Sequence, residues 1–169
     1  AAEMGTRIHE ALETGDWSAL NDYESSLAQG CRNAEDSIFD HHNYSDNFNE
    51  LEDYKEIRLT MKLRGEETFG TCDRLTVNGN EAVQIDYKTG KMAVDEPQDN
   101  WQAKAYALGT FQSFPQVDTI HFYFIACRRD EILFHTFKRD DVEEIVHAIS
   151  DVIKRAKKVR ACFSKADPN

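Results

Sequence analysis

The chain has 169 residues, 40% hydrophobic and 30% charged, with a formal net charge of −11. That length supports one domain with a core of its own; no apolar run approaches the roughly 18 residues of a membrane span, and no secretion signal opens the chain, so a cytoplasmic protein is expected. The charge is uneven: residues 1–53 hold 13 acidic and 2 basic residues and residues 54–169 hold 18 of each, so the global balance does not exclude a local patch that faces phosphates.

Met4, Ile8, Ala11 and Leu12 recur at helical spacing, which predicts a helix over 3–14 stopped at Gly15. Residues 16–53 are acidic and patchily apolar; Trp17, Leu20, Tyr23, Leu27, Ile38 and Phe39 suggest one or two helices around a break near Gly30. The stretch 41–49 has little periodicity. Residues 55–63 alternate, with Ile57, Leu59, Met61 and Leu63 on one face of a strand. Strands are also predicted over 66–77 and 81–88, joined by the tight-turn pair Asn78-Gly79, as an antiparallel meander. A helix over 97–112 follows, with Pro97 in its first turn and Asp95 and Gln98 as a capping box. Residues 119–127 read as a buried strand with 131–138 as its hairpin partner. Residues 140–161 form a last amphipathic helix, and the basic residues Lys154, Arg155, Lys157, Lys158, Arg160 and Lys165 cluster at that end. The order predicts an α/β fold, a mixed central sheet flanked by helices.

Four cysteines, Cys31, Cys72, Cys127 and Cys162, include no C-x-x-C pair. A zinc or iron–sulfur site therefore has little support, and free thiols in a reducing cytosol are expected.

The sharpest local signal is Gly70-Thr71-Cys72-Asp73-Arg74, followed after a gap by Asp86-Tyr87-Lys88-Thr89-Gly90. Adjacent strands joined by a short turn bring two such carboxylates close. They repel unless a cation lies between them, and Mg²⁺ or Mn²⁺ prefers such oxygen ligands. Lys88, two residues beyond Asp86, shares its face of the strand. Two acids, a cation and an ammonium suit phosphoryl chemistry. Gln102 and Tyr106, four apart on the following helix, share one face. His9 can complete a site otherwise made of oxygens.

These constellations (Gly5 and His9 on a helix, Gly70 and Asp73, Asp86-Tyr87-Lys88-Thr89-Gly90, then Gln102 and Tyr106) occur in an order that resembles the RecB-like branch of the PD-(D/E)XK nucleases. The likeness runs from Gly5 to about Ala161. It implies a restriction-endonuclease-like core over 1–169 with an acidic helical insertion at about 16–53. By the resemblance, His9, Asp73, Asp86 and the carbonyl of Tyr87 are metal ligands, Lys88 is the catalytic lysine, and Gln102 and Tyr106 form the accessory motif. Two departures stand out: the position before Asp73 is Cys72 rather than proline, and the late cysteine cluster that holds an iron–sulfur centre in some relatives is absent, so no cluster is expected here. The chain opens on Ala1 rather than Met, as a fragment or processed chain does.

The expected activity is hydrolysis of DNA by metal-activated water, with Mg²⁺ or Mn²⁺, as an exonuclease in a bacterial or phage-infected cell. DNA, single- or double-stranded, is the expected partner; a helicase or recombination partner and a homo-oligomer are compatible with it, and no membrane is implied. Arg74, Lys91, Lys104 and the basic 154–160 segment are the expected phosphate contacts. Two rivals are a non-catalytic module with a nuclease-like fold, and an interaction domain whose acidic first third docks on a basic partner.

Overall fold

The computed structural model describes residues 2–165 and, within them, the side chains of all but residues 2, 47–49 and 159–165. The alternating residues of the middle form β1 (Glu52–Leu63), β2 (Glu66–Asn78) and β3 (Glu81–Tyr87), each antiparallel to the one before. The chain crosses through α3 (Trp101–Ser113), lays β4 (Thr119–Ala126) parallel to β3, and returns along β5 (Glu131–Lys138) antiparallel to β4. The sheet order is β1-β2-β3-β4-β5. Before it come α1 (Ala2–Thr14), α2 (Asp22–His41) and a 3-10 turn over Ser45–Glu50; after it come a 3-10 turn, Arg139–Asp141, and α4 (Val142–Lys165). This is an α/β fold with a mixed central sheet flanked by helices. Among the described residues no helix is long and apolar enough to cross a membrane.

The sheet separates two cores. Leu59, Met61, Leu75, Val77, Phe122 and Phe124 pack with Leu108 and Phe111 of α3 and Ile145 and Ile149 of α4. Val83, Ile85, Tyr87, Tyr123 and Ile125 pack on the other face with Ile8 and Leu12 of α1 and Ala28, Cys31, Ile38 and Phe39 of α2. β3 and β4 alternate between the two, as extended backbone requires.

Three local expectations are corrected. No break occurs at Gly30: α2 runs through it, because Glu24, Ala28, Cys31, Glu35 and Ile38 form one buried stripe at helical spacing while Gly30 faces solvent. The packing of that stripe outweighs the cost of about 1 kcal/mol for a helix-interior glycine. The third helix begins later than Pro97, with Asn100 as its cap: Asn100 Oδ1 accepts from the N–H groups of Gln102 and Ala103 at 2.9 and 3.2 Å. Residues 96–100 are spent in turns, Asp99 N–H to Glu96 O and Asn100 N–H to Pro97 O. Finally, the cysteines are not all free. Cys31 of α2 and Cys127 at the end of β4 form a disulfide across a sequence separation of 96 residues, brought together because α2 packs over β4. Cys72 is a buried free thiol, and the side chain of Cys162 lies outside those described.

Candidate metal centre

The site grows from one irregularity shared by two strands. In β1, Tyr54 and Ile57 both pack toward the α3–α4 core; in β2, Cys72 and Leu75 both do. Strict alternation forbids either pair, so each strand slips phase between its two residues. Lys55 faces Arg74 and Ile57 faces Cys72, which sets Glu56 opposite Asp73 at the slip. Glu56 takes a positive φ of 49°, a conformation that side chains other than glycine rarely adopt and that is held at functional sites when the surroundings impose it. On the next pair of strands Arg74 faces Ile85, so Asp86 stands one step further on, beside Asp73. Three carboxylates thus lie in a row across β1, β2 and β3.

His9 reaches this row from α1. Its Nδ1 lies 3.1 Å from Asp73 Oδ1. Burial works against the charged imidazole, but the hydrogen bond and charge of Asp73 outweigh it and raise the His9 pKa. The side chains of His9, Glu56 and Asp73 each offer one ligand atom, and the three atoms lie within 4.8 Å of one another. They line an open cleft with Gly5 and Thr6. Burial, then the neighbouring charges of Asp73 and Glu13, push the Glu56 carboxyl up. Glu56 was not among the expected ligands. Its place in an alternating run, KEIRLTMKL, reads as the solvent side of a strand, and only the phase slip turns it toward Asp73.

Asp86 is 3% exposed. Burial first, then Asp73, raises its pKa to about 6, against the opposing pull of Lys88. Lys88 Nζ lies 2.6 Å from Asp86 Oδ2. The Lys88 ammonium therefore already compensates this buried oxygen. The donor set that fits a cation is instead that of His9, Glu56 and Asp73, one imidazole and two carboxylates.

Lys88 Nζ also donates to Gln102 Oε1 at 2.5 Å, Gln102 Nε2 to the Tyr106 hydroxyl at 2.9 Å, and that hydroxyl to the Thr71 carbonyl at 2.5 Å. The pair on α3 therefore ties the lysine that follows β3 to the backbone of β2. A Cβ at Gly70 would stand 2.7 Å from the Tyr106 ring, so glycine permits that approach; separately, one at Gly5 of α1 would stand 2.7 Å from Thr89 Oγ1. Tyr87, between Asp86 and Lys88, gives its backbone N–H to Asp73 Oδ2 at 2.6 Å.

The structure thus brings together His9, Asp73, Asp86, Lys88, Gln102 and Tyr106. Of the expected phosphate contacts, Arg74 is corrected. It is buried, donates to Asp53 at 3.0 and 3.1 Å and pairs with Glu35, because its strand position faces α2 rather than the cleft. Lys91 is exposed beside Tyr23, Arg128 and Arg129. Lys104 stands 4.9 Å over the exposed Trp101 ring. Lys157 pairs with Glu66 at 2.6 Å, and the side chain of Arg160 lies outside those described.

Residues 2–166 match a family model described as "Protein of unknown function (DUF2800)". No curated protein matches the sequence. A solved structure titled "Crystal structure of SSO0001" is similar to the chain at 16% identity, over 89% of this chain and 83% of that one, with a TM-score of 0.39. A likeness of that size carries no argument about this site.

Proposed function

The chain belongs to the DUF2800 family, and we propose that it is a divalent-cation-dependent deoxyribonuclease of the RecB-like PD-(D/E)XK type, acting as an exonuclease. The observation that carries this reading is the convergence of His9, Glu56 and Asp73 beside the buried Asp86–Lys88 pair. Carboxylate oxygens with one imidazole suit Mn²⁺ or Mg²⁺. His9, Glu56, Asp73 and Asp86 are the side chains to hold the ion, with the Tyr87 carbonyl as a further ligand.

When bound, such an ion supplies Lewis acidity toward a phosphate and lowers the pKa of a water. The chain's own groups do the rest. Lys88, pre-set by Asp86 and Gln102, presents a fixed positive charge where negative charge grows on the phosphate; a donor already oriented costs no reorganisation. Gln102 and Tyr106 keep that ammonium from swinging into solvent. Asp73, fixed through one oxygen by the Tyr87 N–H and through the other by His9, holds its carboxylate in one orientation. Exposed Lys91, half-buried Lys104 and exposed Lys154, Arg155 and Lys158 of α4 are the basic groups left to meet the DNA backbone.

The test is cleavage of end-labelled single- and double-stranded DNA with Mg²⁺, Mn²⁺ or EDTA, by wild type and Lys88→Ala. Digestion that needs the metal and drops roughly 10²- to 10³-fold in the variant is expected, and the product ladder reads the mode. A folded wild type that binds Mn²⁺ in calorimetry but cuts nothing would move the assignment to a non-catalytic module.

A further inference from the structure

Tyr87 is gripped from both sides of the sheet. Its backbone N–H holds Asp73, as above. Its ring is buried on the α2 side, and its hydroxyl donates to Glu35 Oε2. Glu35 is 1% exposed. Its other oxygen receives Arg32 Nη1 at 2.8 Å and Arg74 Nη1. Arg74 in turn is clasped by Asp53, which also accepts from Thr76 Oγ1 at 2.7 Å. A buried network of this kind is weak support for stability, since apolar residues of similar volume serve as well. Its geometry suggests another use. Side chains alternate along a strand, so anchoring the Tyr87 ring toward α2 commits Asp86 and Lys88 to the opposite face and fixes the peptide that orients Asp73.

We infer that Glu35 is a positioning residue for the metal centre, acting through the Tyr87 hydroxyl to set the Asp73, Asp86 and Lys88 groups. The inference rests on the nuclease reading above. It also gives the acidic segment 16–53 an internal role: α2 lies behind the site and delivers one carboxylate to the Tyr87 hydroxyl.

The test uses the full chain with Tyr87→Phe, Glu35→Gln and the double variant. Mn²⁺ affinity is read by calorimetry, and kcat and KM are measured on a single-stranded oligonucleotide at saturating Mn²⁺, well below each variant's Tm. Each single variant is expected to lose roughly tenfold or more in Mn²⁺ affinity or kcat, with KM for DNA unchanged. The double variant should be no worse than Glu35→Gln alone, because both changes break one contact. Should Glu35→Gln fail to fold, Tyr87→Phe still decides, since it leaves Glu35 with both arginines. A lowered Tm with wild-type Mn²⁺ affinity and kcat marks a structural brace and overturns the inference alone. A wild type that neither binds Mn²⁺ nor cuts overturns the nuclease reading, and the inference with it.

Discussion

The two faces of the sheet are held by different physics. Toward α3 and α4 the buried layer is mainly apolar, apart from neutral groups such as Gln84 and Thr110, with Phe122 between Phe124 and Phe137 at ring separations of 5.0 and 6.2 Å. Toward α1 and α2 the apolar contacts are interleaved with charge: Arg7 pairs with the buried Glu24, and Glu35 and Asp53 close on Arg74. The Cys31–Cys127 disulfide pins the same layer. Burial of apolar area needs only a rough fit, whereas buried ions demand one geometry. The candidate site lies on the seam between them, with Asp86, Lys88 and Gln102 on the α3 side and His9 and the Tyr87 ring on the other. Glu24 and Glu35 of the acidic first third are therefore consumed inside the molecule, while most of its other carboxylates face solvent.

The largest stability effect should come from the apolar side. Phe122→Ala is expected to cost about 3–5 kcal/mol in denaturant unfolding, the range for deleting a fully buried aromatic. A loss below 1 kcal/mol would contradict the description of that face as the main core.

On the charged side, Cys31→Ser should lower stability by about 2–4 kcal/mol under oxidising conditions and leave it level with wild type in reductant. An equal effect in both buffers would mean the sulfurs do not bond in solution.

Smaller still, Glu56→Gly should relieve the positive φ and raise stability by about 1 kcal/mol while weakening Mn²⁺ binding. Opposite signs for stability and metal affinity are the signature of strain kept for function; a loss of both would make Glu56 a structural residue.

The least effect is one of pH. Burial first, and the neighbouring His121 and His41 next, lower the His42 pKa to about 4. Its Nε2 lies 2.7 Å from the Tyr123 hydroxyl. A depressed folded-state pKa favours the neutral ring, so this contribution is complete above the ordinary value of 6.5 and is lost as pH falls through about 4. The acid limb of a Tm-against-pH curve should therefore flatten in His42→Gln; an unchanged limb would assign the acid sensitivity elsewhere.

Much of this was legible one segment at a time. The strand over 131–138 matches β5 at both ends, and the other strands agree within a few residues, because alternation and turn pairs such as Asn78-Gly79 act locally. The nearness of Asp73 and Asp86 followed from a short antiparallel connection, and the shared face of Asp86 and Lys88 from strand geometry alone. Gln102 and Tyr106 were likewise paired by helix spacing, although their links to Lys88 and Thr71 needed the fold.

What sequence by itself determined, then, was the order of elements and those site residues whose relation is set within one strand, one hairpin or one helix turn. Only the tertiary structure decided the others. Glu56 joins the site because two strands slip phase together, and Arg74 leaves the phosphate-binding list because α2 places Glu35 over it. Cys31 meets Cys127 because α2 crosses the end of β4. Each depends on which distant segment packs against which face, and short-range periodicity carries no record of that choice.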